Sequence, residues 1–595
     1  MLKDNYRFLL KKGLNSVRSS GMRVTASRTL RFLQNRGVRG RTLNVLNTLA
    51  HYLRSGIGAP IREHTQVNLP GSATQFAYQP LVSIIMPVFN IEEKWLQRAI
   101  SSVQAQTYPN WELCICDDGS TAPDTIRALV DLESEGTRLR VKRLPENGGI
   151  SKASNEALAF ATGDFVAFLD NDDELEPHAL ECYVAVLNND ARIDVIYSDE
   201  DKLSERGIRE EPFLKPDWSP SMFREVMYVG HLLLVRRNRI EQIGGFDSTY
   251  DGVQDYELML RLSENTSAIH HVHEVLYHWR RIPGSIADRP DSKPNIGRKQ
   301  VAAVNAHLVR MGINAIAKIH PILPHRAVLV PNARDRFPRV SIIIPTKDAP
   351  EFISRCLASI FERSTYPNFE VVVVDNGTTD VEALAVLDRF PIIRVPYSEP
   401  FNYSRANNLA AAASTGDVLV LLNNDTEVVE GDWLEQMLFF LDDPNVGAVG
   451  PLLIYPDRSV QHAGVALGIR GTADHVLRGL PEDSDGYFGS LSCTREVSCV
   501  TFACVMLRRE DFDAVGGLSE FYQTHYQDVD FCMRLTAIGR KILYTPRTRL
   551  IHYESATRGS AYDSLDRALL LDCWGAEISA GDPYSRWESK SSAAA

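Results

Sequence analysis

The chain has 595 residues, of which 44% are hydrophobic and 24% are charged, as is typical of globular proteins. No apolar run approaches the roughly 18 residues that a membrane-spanning helix requires, so an integral membrane protein is excluded. The nine cysteines form no Cys-x-x-Cys pair, and the first residues lack the pattern of a signal peptide. These features predict a reducing, cytoplasmic location.

The net charge of −12 is unevenly distributed along the chain. Residues 1–62 contain 13 Lys or Arg and one acidic residue, so the remainder is strongly acidic. An acidic body disfavours nucleic acid as a partner. The basic segment favours an anionic partner, and its apolar clusters predict short amphipathic helices. We expect it to bind an anionic membrane surface; the alternatives are a partner enzyme or the acidic body of the chain itself.

An internal repeat divides the chain. Residues 82–87 recur at 340–345 and residues 112–117 recur at 370–375, both at a spacing of 258. Such a period is too long for a solenoid and indicates two complete domains in tandem. The predicted organisation is a basic helical segment (1–78), a first domain (79–322), a linker (323–338), a second domain (339–575) and a tail (576–595).

Apolar runs alternate with amphipathic stretches in each copy. In the first copy the runs 82–86, 111–116 and 165–169 are strand-sized; the first ends at Pro87, and the other two are followed directly by Asp117 and Asp170. This pattern predicts an α/β fold with a mainly parallel sheet that is buried on both faces. Ligands bind at the carboxyl ends of the strands in such sheets, so we expect the functional residues there.

An acidic cluster directly follows the third apolar run. Asp170 and Asp172 are two residues apart, so in an extended chain both side chains face one ligand. Two carboxylates suit Mg²⁺ or Mn²⁺. The alternative is that Asp173 or Glu174 caps a helix. The second copy reads Asn423-Asn424-Asp425 and keeps only the last acid.

Two further pairs of residues occur in matching contexts. Asp255 and Asp528 each follow a glutamine at a predicted helix start, where a carboxylate acts either as a general base or as a helix cap. His278 lies 23 residues after Asp255, and His552 lies 24 after Asp528. Neutral imidazole is a suitable third ligand for Mn²⁺.

These motifs resemble those of family 2 glycosyltransferases, which have the GT-A fold. The resemblance rests on IIMPVFN at 84–90, DDGS at 117–120, NGGIS at 147–151, LDND at 169–172 and QD at 254–255. In the second copy it rests on IIIP, DNGT, ND, QD and His552, so the two matches cover about residues 80–560. The resemblance implies two tandem GT-A, Rossmann-like domains. The arrangement is similar to bacterial enzymes of O-antigen and other surface polysaccharides, and the second copy resembles rhamnosyltransferases.

The resemblance also implies roles for individual residues. The residues expected to bind a nucleotide-diphospho-sugar donor are Pro87, Asp117, Asp118, Lys152 and Asp170 in the first copy, and Pro345, Asp375, Arg405 and Asn424 in the second. The expected ligands of Mg²⁺ or Mn²⁺ are Asp170, Asp172 and His278 in the first copy, and Asp425 and His552 in the second. Asp255 and Asp528 would be the general bases of an inverting transfer to a glycan or lipid-linked acceptor.

Two departures from the family pattern limit these expectations. Asn423 replaces the first acid of the metal motif, and neither copy has the QxxRW element of processive synthases. The main hypothesis is a bifunctional transferase. The alternative is that one copy, with the second as the candidate, is a non-catalytic carbohydrate-binding or scaffolding module. A dinucleotide oxidoreductase is disfavoured, because no GxGxxG motif follows a strand.

The basic segment provides the first testable prediction. We expect the full chain to co-sediment with anionic vesicles at low salt more strongly than with neutral ones, because each Lys or Arg near such a surface contributes about 1 kcal/mol. A chain that starts at Gln79 should lose this binding. Equal sedimentation of both proteins, or indifference to lipid charge, would exclude membrane docking by this segment.

Overall fold

The computed structural model describes residues 76–133, 138–282, 295–554 and 564–587. The basic segment and its predicted helices therefore lie outside the described residues. The described chain forms two compact units. The first unit extends to Arg336 and also contains Cys493–Glu496, and the second comprises Phe337–Ser492 and the chain from Val497 onward.

The first unit contains eleven strands and eight α-helices among its described residues. In chain order these are β1 (Val82–Val88), α1 (Glu93–Gln104), β2 (Trp111–Asp117), α2 (Pro123–Glu133), β3 (Leu139–Arg143), α3 (Ile150–Leu158), β4 (Phe165–Phe168), β5 (Glu174–Leu175), α4 (Ala179–Asn189), β6 (Val195–Leu203), β7 (Arg209–Phe213), α5 (Pro220–Phe223), β8 (Leu233–Arg236), α6 (Arg237–Gln242), α7 (Gln254–Asn265), β9 (Ile269–Arg280), α8 (Ile296–Met311), β10 (Ala315–Ile319) and β11 (Ala327–Pro331).

The chain after Phe337 repeats this arrangement. Its elements are β12 (Val340–Thr346), α9 (Pro350–Arg363), β13 (Phe369–Asp375), α10 (Val381–Arg389), β14 (Ile393–Pro396), α11 (Tyr403–Ala413), β15 (Val418–Leu422), β16 (Thr426–Val428), α12 (Trp433–Leu441), β17 (Val446–Ile454), β18 (Val460–His462), β19 (Val465–Leu467), β20 (Ala473–His475), β21 (Arg495–Val497), β22 (Cys504–Arg508), α13 (Arg509–Ala514), α14 (Gln527–Ala537), β23 (Lys541–His552) and α15 (Ser564–Ala580).

The main sheets of the two units have the same strand order. The first runs β3-β2-β1-β4-β8-β6-β9-β5, and the second runs β14-β13-β12-β15-β22-β17-β23-β16. In each sheet the first four strands are parallel, and the fifth joins them in antiparallel orientation. The sequence repeat therefore corresponds to a structural duplication.

The apolar runs become strands that are buried on both faces. Adjacent residues Ile84 and Ile85 on β1, whose side chains point to opposite faces, are both fully buried. Helix α1 covers the sheet with a single apolar stripe whose buried residues include Trp95, Ala99 and Val103. Polar side chains can reach solvent only where these central strands end, and this constraint positions the candidate sites.

A buried hydrogen-bond network is also duplicated at the opposite end of the sheet. In the second unit, Glu370 accepts a hydrogen bond from Ser341 Oγ at 2.7 Å and from the Thr415 amide at 2.6 Å. The Gly416 amide donates to Ser341 Oγ at 2.8 Å. Glu112 in the first unit accepts the equivalent bonds from Ser83 Oγ and the Thr162 amide, both at 2.6 Å. Much of the sequence repeat thus serves the fold rather than the sites.

Two predicted boundaries are wrong. The linker predicted at 323–338 contains β11, which pairs with β10 in an antiparallel hairpin and buries Leu329. The predicted tail is partly folded, because α15 continues to Ala580 and Trp587 is buried. Prolines and mixed charges suggested a connector in the first case, but alternate residues of the hairpin, Ala317, Ala327 and Leu329, are buried.

Glu370 provides a prediction about stability. Burial alone would raise its pKa, but the bonds from Ser341 and Thr415 and the ion pair with Arg339 lower it to about 2. Because the folded pKa is depressed, the stabilisation is present above the unfolded pKa of about 4.3 and is lost as pH falls through about 2. We expect Glu370→Gln to lower the unfolding free energy at pH 7 by about 2 kcal/mol.

Denaturant unfolding at several pH values checks this expectation, with Glu362→Gln, at an exposed position, as the control. The deficit of Glu370→Gln relative to wild type should shrink below pH 4. A variant as stable as wild type at neutral pH would contradict the role assigned to the network.

Candidate active sites

The carboxyl ends of β1, β2 and β4 form the candidate site of the first unit. Val88 pairs with Asp117 at the ends of β1 and β2, and Asp170 follows β4 by two residues. In the second unit, Thr346 pairs with Asp375 in the same way. The expectation that polar residues emerge at these strand ends is confirmed by the strand bounds.

Asp117 and Asp118 hold the loops at this edge through hydrogen bonds to backbone amides. Asp117 Oδ1 accepts a hydrogen bond from the Ser120 amide at 3.0 Å, and Asp118 accepts from the amides of Gly148 and Gly149 at 2.7 and 2.9 Å. Gly119 has a φ of +71°, and a Cβ there would lie 2.5 Å from the Glu146 carbonyl carbon. Only glycine fits this close approach. A contact of either aspartate with a nucleotide stays a prediction.

Asp375 plays the same part in the second unit. Its Oδ1 accepts from the Thr378 amide at 2.8 Å, and its Oδ2 accepts from Arg394 at 2.6 Å. The matching pair in the first unit is Asp117 with Arg143, at 3.3 Å. Both copies thus present an aspartate at the end of the second strand whose position is fixed by a neighbouring arginine.

The acidic loop after β4 divides its carboxylates between the surface and the interior. The side chain of Asp170 is 44% exposed. Asp173 is fully buried and accepts from Tyr277 Oη at 2.5 Å and from the Arg280 amide at 2.7 Å. Helix α4 begins only at Ala179, so the alternative in which Asp173 or Glu174 caps a helix is wrong.

Asp172 is half-buried, and its environment is rich in negative charge. Burial, followed by the charge of Asp170, raises the pKa of Asp172 to about 6. Carboxylates that are crowded in this way fit a hard divalent cation, which neutralises their charge. Asp170 and Asp172 thus remain suitable as ligands of Mg²⁺ or Mn²⁺.

The predicted third ligand of the first unit, His278, is wrong. Its Nδ1 bonds to Asp201 Oδ1 at 2.7 Å and its Nε2 to Glu176 Oε2 at 3.0 Å. Both ring nitrogens are therefore occupied by buried or half-buried carboxylates, and His278 does not join Asp170 and Asp172. The two histidines at offsets of 23 and 24 residues are not equivalent.

Strand register explains this error. In the second unit His552 pairs with Thr426, whereas in the first unit His278 pairs with Glu174. The repeat spacing of 253 makes Asp173 the equivalent of Thr426. Because β5 and β9 are antiparallel and Glu174 pairs with His278, the residue beside Asp173 is Trp279. A shift of one residue along a strand turns the side chain to the other face. Trp279 therefore occupies the position of His552.

The histidine that does face the first site is His231. Its Nε2 lies 3.8 Å from Asp170 Oδ2, and its ring stacks on Tyr277 with 4.6 Å between centroids. Trp279 lies 5.9 Å from the same ring. Burial lowers the pKa of His231, but Glu200 and Asp170 raise it more strongly, to about 9. The His231 ring thus faces the acidic loop.

Sequence reasoning missed His231 because the repeat gives it no histidine counterpart. Arg236 on β8 pairs with Phe165, and Arg508 on β22 pairs with Val418. When β8 and β22 are aligned on these pairs, Ala503 of the second unit is equivalent to His231 of the first. The available signal was the acidic run 198–201, since Glu200 on β6 accepts from the His231 amide at 2.9 Å and from Lys215 Nζ at 3.0 Å.

The second site retains a carboxylate and a histidine. His552 Nε2 lies 3.3 Å from Asp425 Oδ1, and its Nδ1 lies 3.3 Å from Gln461 Oε1. Both side chains are buried, and Asp425 Oδ1 lacks a hydrogen-bond donor among the described residues. An orphaned carboxylate oxygen beside an imidazole fits a divalent cation, so Asp425 and His552 suit the predicted metal role.

The two candidate bases occupy matching positions. Asp255 and Asp528 are each the second residue of a helix, α7 and α14. The helix caps are Val253 and Tyr526, so the capping alternative is wrong. Burial raises the pKa of both carboxylates, and a raised pKa suits a general base at neutral pH.

The remaining predicted donor-binding residues contact the protein itself. Arg405 pairs with Glu399 and, at 2.8 Å, with Glu520. Asn424 Nδ2 donates to Thr346 Oγ1 at 2.9 Å, next to Pro345. In the first unit Asn171 makes the equivalent bond to the Pro87 carbonyl at 2.8 Å, and the Lys152 side chain covers Gly148. Donor contacts by these residues stay predictions.

Comparison with known proteins yields one matching family. The profile of the family described as Glycosyl transferase family 2 matches residues 83–244 and 341–516. The match confirms the resemblance expected from the motifs. Together with the duplicated sheet order, it also confirms two tandem α/β domains of the Rossmann-like GT-A type.

Similar individual proteins are mostly longer than this chain. O-antigen biosynthesis protein RfbC of Myxococcus xanthus is 39% identical over 502 residues, which cover 84% of this chain and 39% of that protein. Uncharacterized protein y4gI of Sinorhizobium fredii is 39% identical over 492 residues, covering 81% and 54% respectively. The chain thus spans about half or less of these relatives.

A solved structure of Staphylococcus aureus TarS 1–349 in complex with UDP-GlcNAc has a TM-score of 0.33 and 20% identity. The matched region covers 38% of this chain and 66% of the TarS chain. Within the described residues, no helix has the length and apolar character needed to cross a membrane.

The corrected histidine assignment provides a prediction. We expect His552→Gln to weaken Mn²⁺ binding at least about tenfold, because it removes a proposed ligand. His278→Gln should leave Mn²⁺ binding unchanged and lower the unfolding free energy by about 2 kcal/mol, because it removes bonds to two carboxylates. Calorimetric Mn²⁺ titration and denaturant unfolding measure the two effects, with His525→Gln at an exposed position as the control.

The loss in His278→Gln should also depend on pH. Burial lowers the pKa of His278, but the bonds to Asp201 and Glu176 raise it above its usual value. Because the folded pKa is raised, the stabilisation is complete below about pH 6.5 and is lost as pH rises through the folded value. A mutant deficit that grows with increasing pH, or a loss of Mn²⁺ binding in His278→Gln, would contradict the assignment.

Proposed function

Because the chain belongs to glycosyl transferase family 2, with one copy of the family domain in each unit, we propose that it is a bifunctional inverting glycosyltransferase. Each domain would transfer a sugar from a nucleotide-diphospho-sugar to a growing surface polysaccharide. The observation that carries this proposal is the presence, in both domains, of an acid after the fourth sheet strand and a half-buried aspartate at a helix start. These are Asp172 with Asp255, and Asp425 with Asp528.

The metal-binding residues are proposed from the donor sets of the two sites. Asp170 and Asp172 would hold Mg²⁺ or Mn²⁺ in the first domain, and Asp425 with His552 would do so in the second. When bound, the cation neutralises the charge that develops on the departing nucleoside diphosphate, a contribution of several kcal/mol. In the first domain, His231 lies at the same edge, with its Nε2 3.8 Å from Asp170 Oδ2.

The aspartates at the helix starts would activate the acceptor. An acceptor hydroxyl is a weak nucleophile, and a positioned carboxylate that removes its proton accelerates transfer by typically 10²–10⁴-fold. Burial keeps the pKa of Asp255 and Asp528 raised, which strengthens each as a base. One base without a protein nucleophile implies a single displacement at the anomeric carbon, with inversion.

The acceptor is proposed from the similar proteins and from the charge of the chain. A relative is named for O-antigen biosynthesis, so we propose a lipid-linked saccharide at the cytoplasmic face of the membrane as the acceptor. The 13 basic residues of 1–62 would hold the enzyme near that acceptor. The rhamnosyltransferase character of the second domain is proposed from its Asn423-Asn424-Asp425 motif.

A second candidate function is favoured by one observation. Asn423 removes a carboxylate from the second site, and a single active domain beside a non-catalytic, carbohydrate-binding or scaffolding one would tolerate this loss. Asp425, His552 and Asp528 are retained, which supports activity in both domains. Separate inactivation of the two bases distinguishes the candidates.

We expect Asp255→Asn and Asp528→Asn each to lower one transfer activity 10²–10⁴-fold and to leave the other unchanged, because amides cannot accept the hydroxyl proton. Incorporation of labelled sugars into membrane-extracted acceptors, followed by linkage analysis, measures both activities. Asp388→Asn, whose side chain is 77% exposed, is the matched control.

If Asp528→Asn retains every linkage that wild type makes, the second domain is non-catalytic. If both variants retain all linkages, the assignment of the bases is wrong.

A further inference from the structure

A cluster of two histidines and one aspartate lies in the first domain, apart from the residues assigned to transfer. The His–Asp cluster consists of His271 and His273 on β9 and Asp217 in the loop between β7 and α5. His271 Nδ1 lies 3.0 Å and His273 Nε2 lies 2.7 Å from the same oxygen, Asp217 Oδ1. One ligand atom from each of the three residues lies within 4.8 Å of the other two.

Both imidazoles project from β9 toward Asp217. His271 lies on the regular part of the strand, where it pairs with Tyr197 of β6, and His273 lies at a shift of register between Val272 and Val275. His271 is fixed further by stacking on Tyr197, with 4.6 Å between ring centroids and an interplanar angle of 6°. The sheet thus fixes the ring of His271.

A buried carboxylate contacts the far side of the His271 ring. Its Nε2 lies 2.9 Å from Asp199 Oδ1, which also accepts from the Lys215 amide at 2.8 Å. In the tautomer that donates from Nε2 to Asp199, Nδ1, the atom that faces Asp217, can act as a ligand. Carboxylate–histidine pairs of this kind orient the imidazole ligands of metal ions.

Three ligand atoms of different residues converge on one point. The carboxylates of Asp199 and Asp217 lie on either side of the His271 ring, at 2.9 and 3.0 Å, so negative charge is concentrated around this point. Zinc ligands at about 2.1 Å in a tetrahedron stand roughly 3.4 Å apart. Asp217 Oδ1 lies slightly closer than this to the two imidazole nitrogens, at 3.0 and 2.7 Å.

We propose that Asp217, His271 and His273 bind a Zn²⁺ ion that fastens the loop between β7 and α5 to the central sheet. Two imidazoles and a carboxylate are a ligand set that zinc favours, with water in the fourth position. His273 and Asp217 are 46% and 37% exposed, so the ion has access from solvent. Asp199 orients His271 from behind.

The loop that the ion would hold also carries Lys215. This fully buried ammonium donates to Glu200 Oε2 at 3.0 Å, and Glu200 in turn accepts from the His231 amide. Zinc at Asp217 would therefore restrain the segment whose lysine supports the His231 side of the first site. The proposal itself concerns binding and stability, and it stands whether or not the transfer reaction is assigned correctly.

The test uses the full chain, stripped of metal with a chelator, with Zn²⁺ alone as the probe. Bound Zn²⁺ is counted after gel filtration, and thermal unfolding is followed with and without Zn²⁺. We expect His273→Gln to lose one equivalent of Zn²⁺ and most of the Zn²⁺-induced rise in unfolding temperature. His270→Gln should keep both, since His270 is exposed on the same strand but points to the other face.

A second group of residues, His178, Cys182 and Glu274, also has its ligand atoms within 4.8 Å of one another, so Zn²⁺ bound there would be counted as well. The Zn²⁺ content is therefore compared between variants. Asp217→Asn provides a second, near-isosteric variant, for which we expect the dissociation constant of the lost equivalent to rise at least about tenfold. Asp217→Asn tests the proposal if His273→Gln does not fold. Equal Zn²⁺ content in wild type, Asp217→Asn and His273→Gln would overturn the proposal and leave the cluster as an ion-pair network.

Discussion

The burial of the central parallel strands on both faces is the constraint on which both sites depend. Since neither face of β1, β2 and β4 meets solvent, polar side chains collect where the strands end. Asp117 and Asp170 lie there in the first domain, and Asp375 and Asp425 in the second. At the opposite end, the same constraint requires Glu112 and Glu370 to be fully hydrogen-bonded. One architectural rule thus separates residues that hold the fold from residues available for chemistry.

The two domains share the same sheet but differ in the side chains that lie beside the acidic loop. In the first, His231 and Trp279 face the acidic loop, and Arg280 ties that loop to β9. In the second, Ala503 and His552 take the positions of His231 and Trp279, and Tyr553 donates from its amide to the Asp425 carbonyl. The histidine beside the acidic loop therefore comes from a different strand in each domain. Such differences suit two donors or two acceptors on a common scaffold.

The sequence predicted the fold well because strand-sized apolar runs recur in the same order in both copies and determine the sheet. It also selected Asp172, Asp425, Asp255 and Asp528, since each lies near an element boundary that the repeat marks twice, and their roles stay predictions. It failed for His278, where a difference of one residue in offset seemed small but reverses the side chain on a strand. His231 and the His–Asp cluster were invisible because their contacts join strands that are distant in sequence and have no counterpart in the repeat.

The central claim is that each domain contains its own nucleotide site. Calorimetric titration of the full chain with a panel of nucleoside diphosphates, in the presence of Mn²⁺, tests it most directly. We predict two nucleotides bound per chain across the panel. The double change Asp170→Asn and Asp172→Asn should remove one of them, and Asp425→Asn should remove the other. A total of one nucleotide in the wild-type chain, or the loss of all binding from either change alone, would contradict the claim.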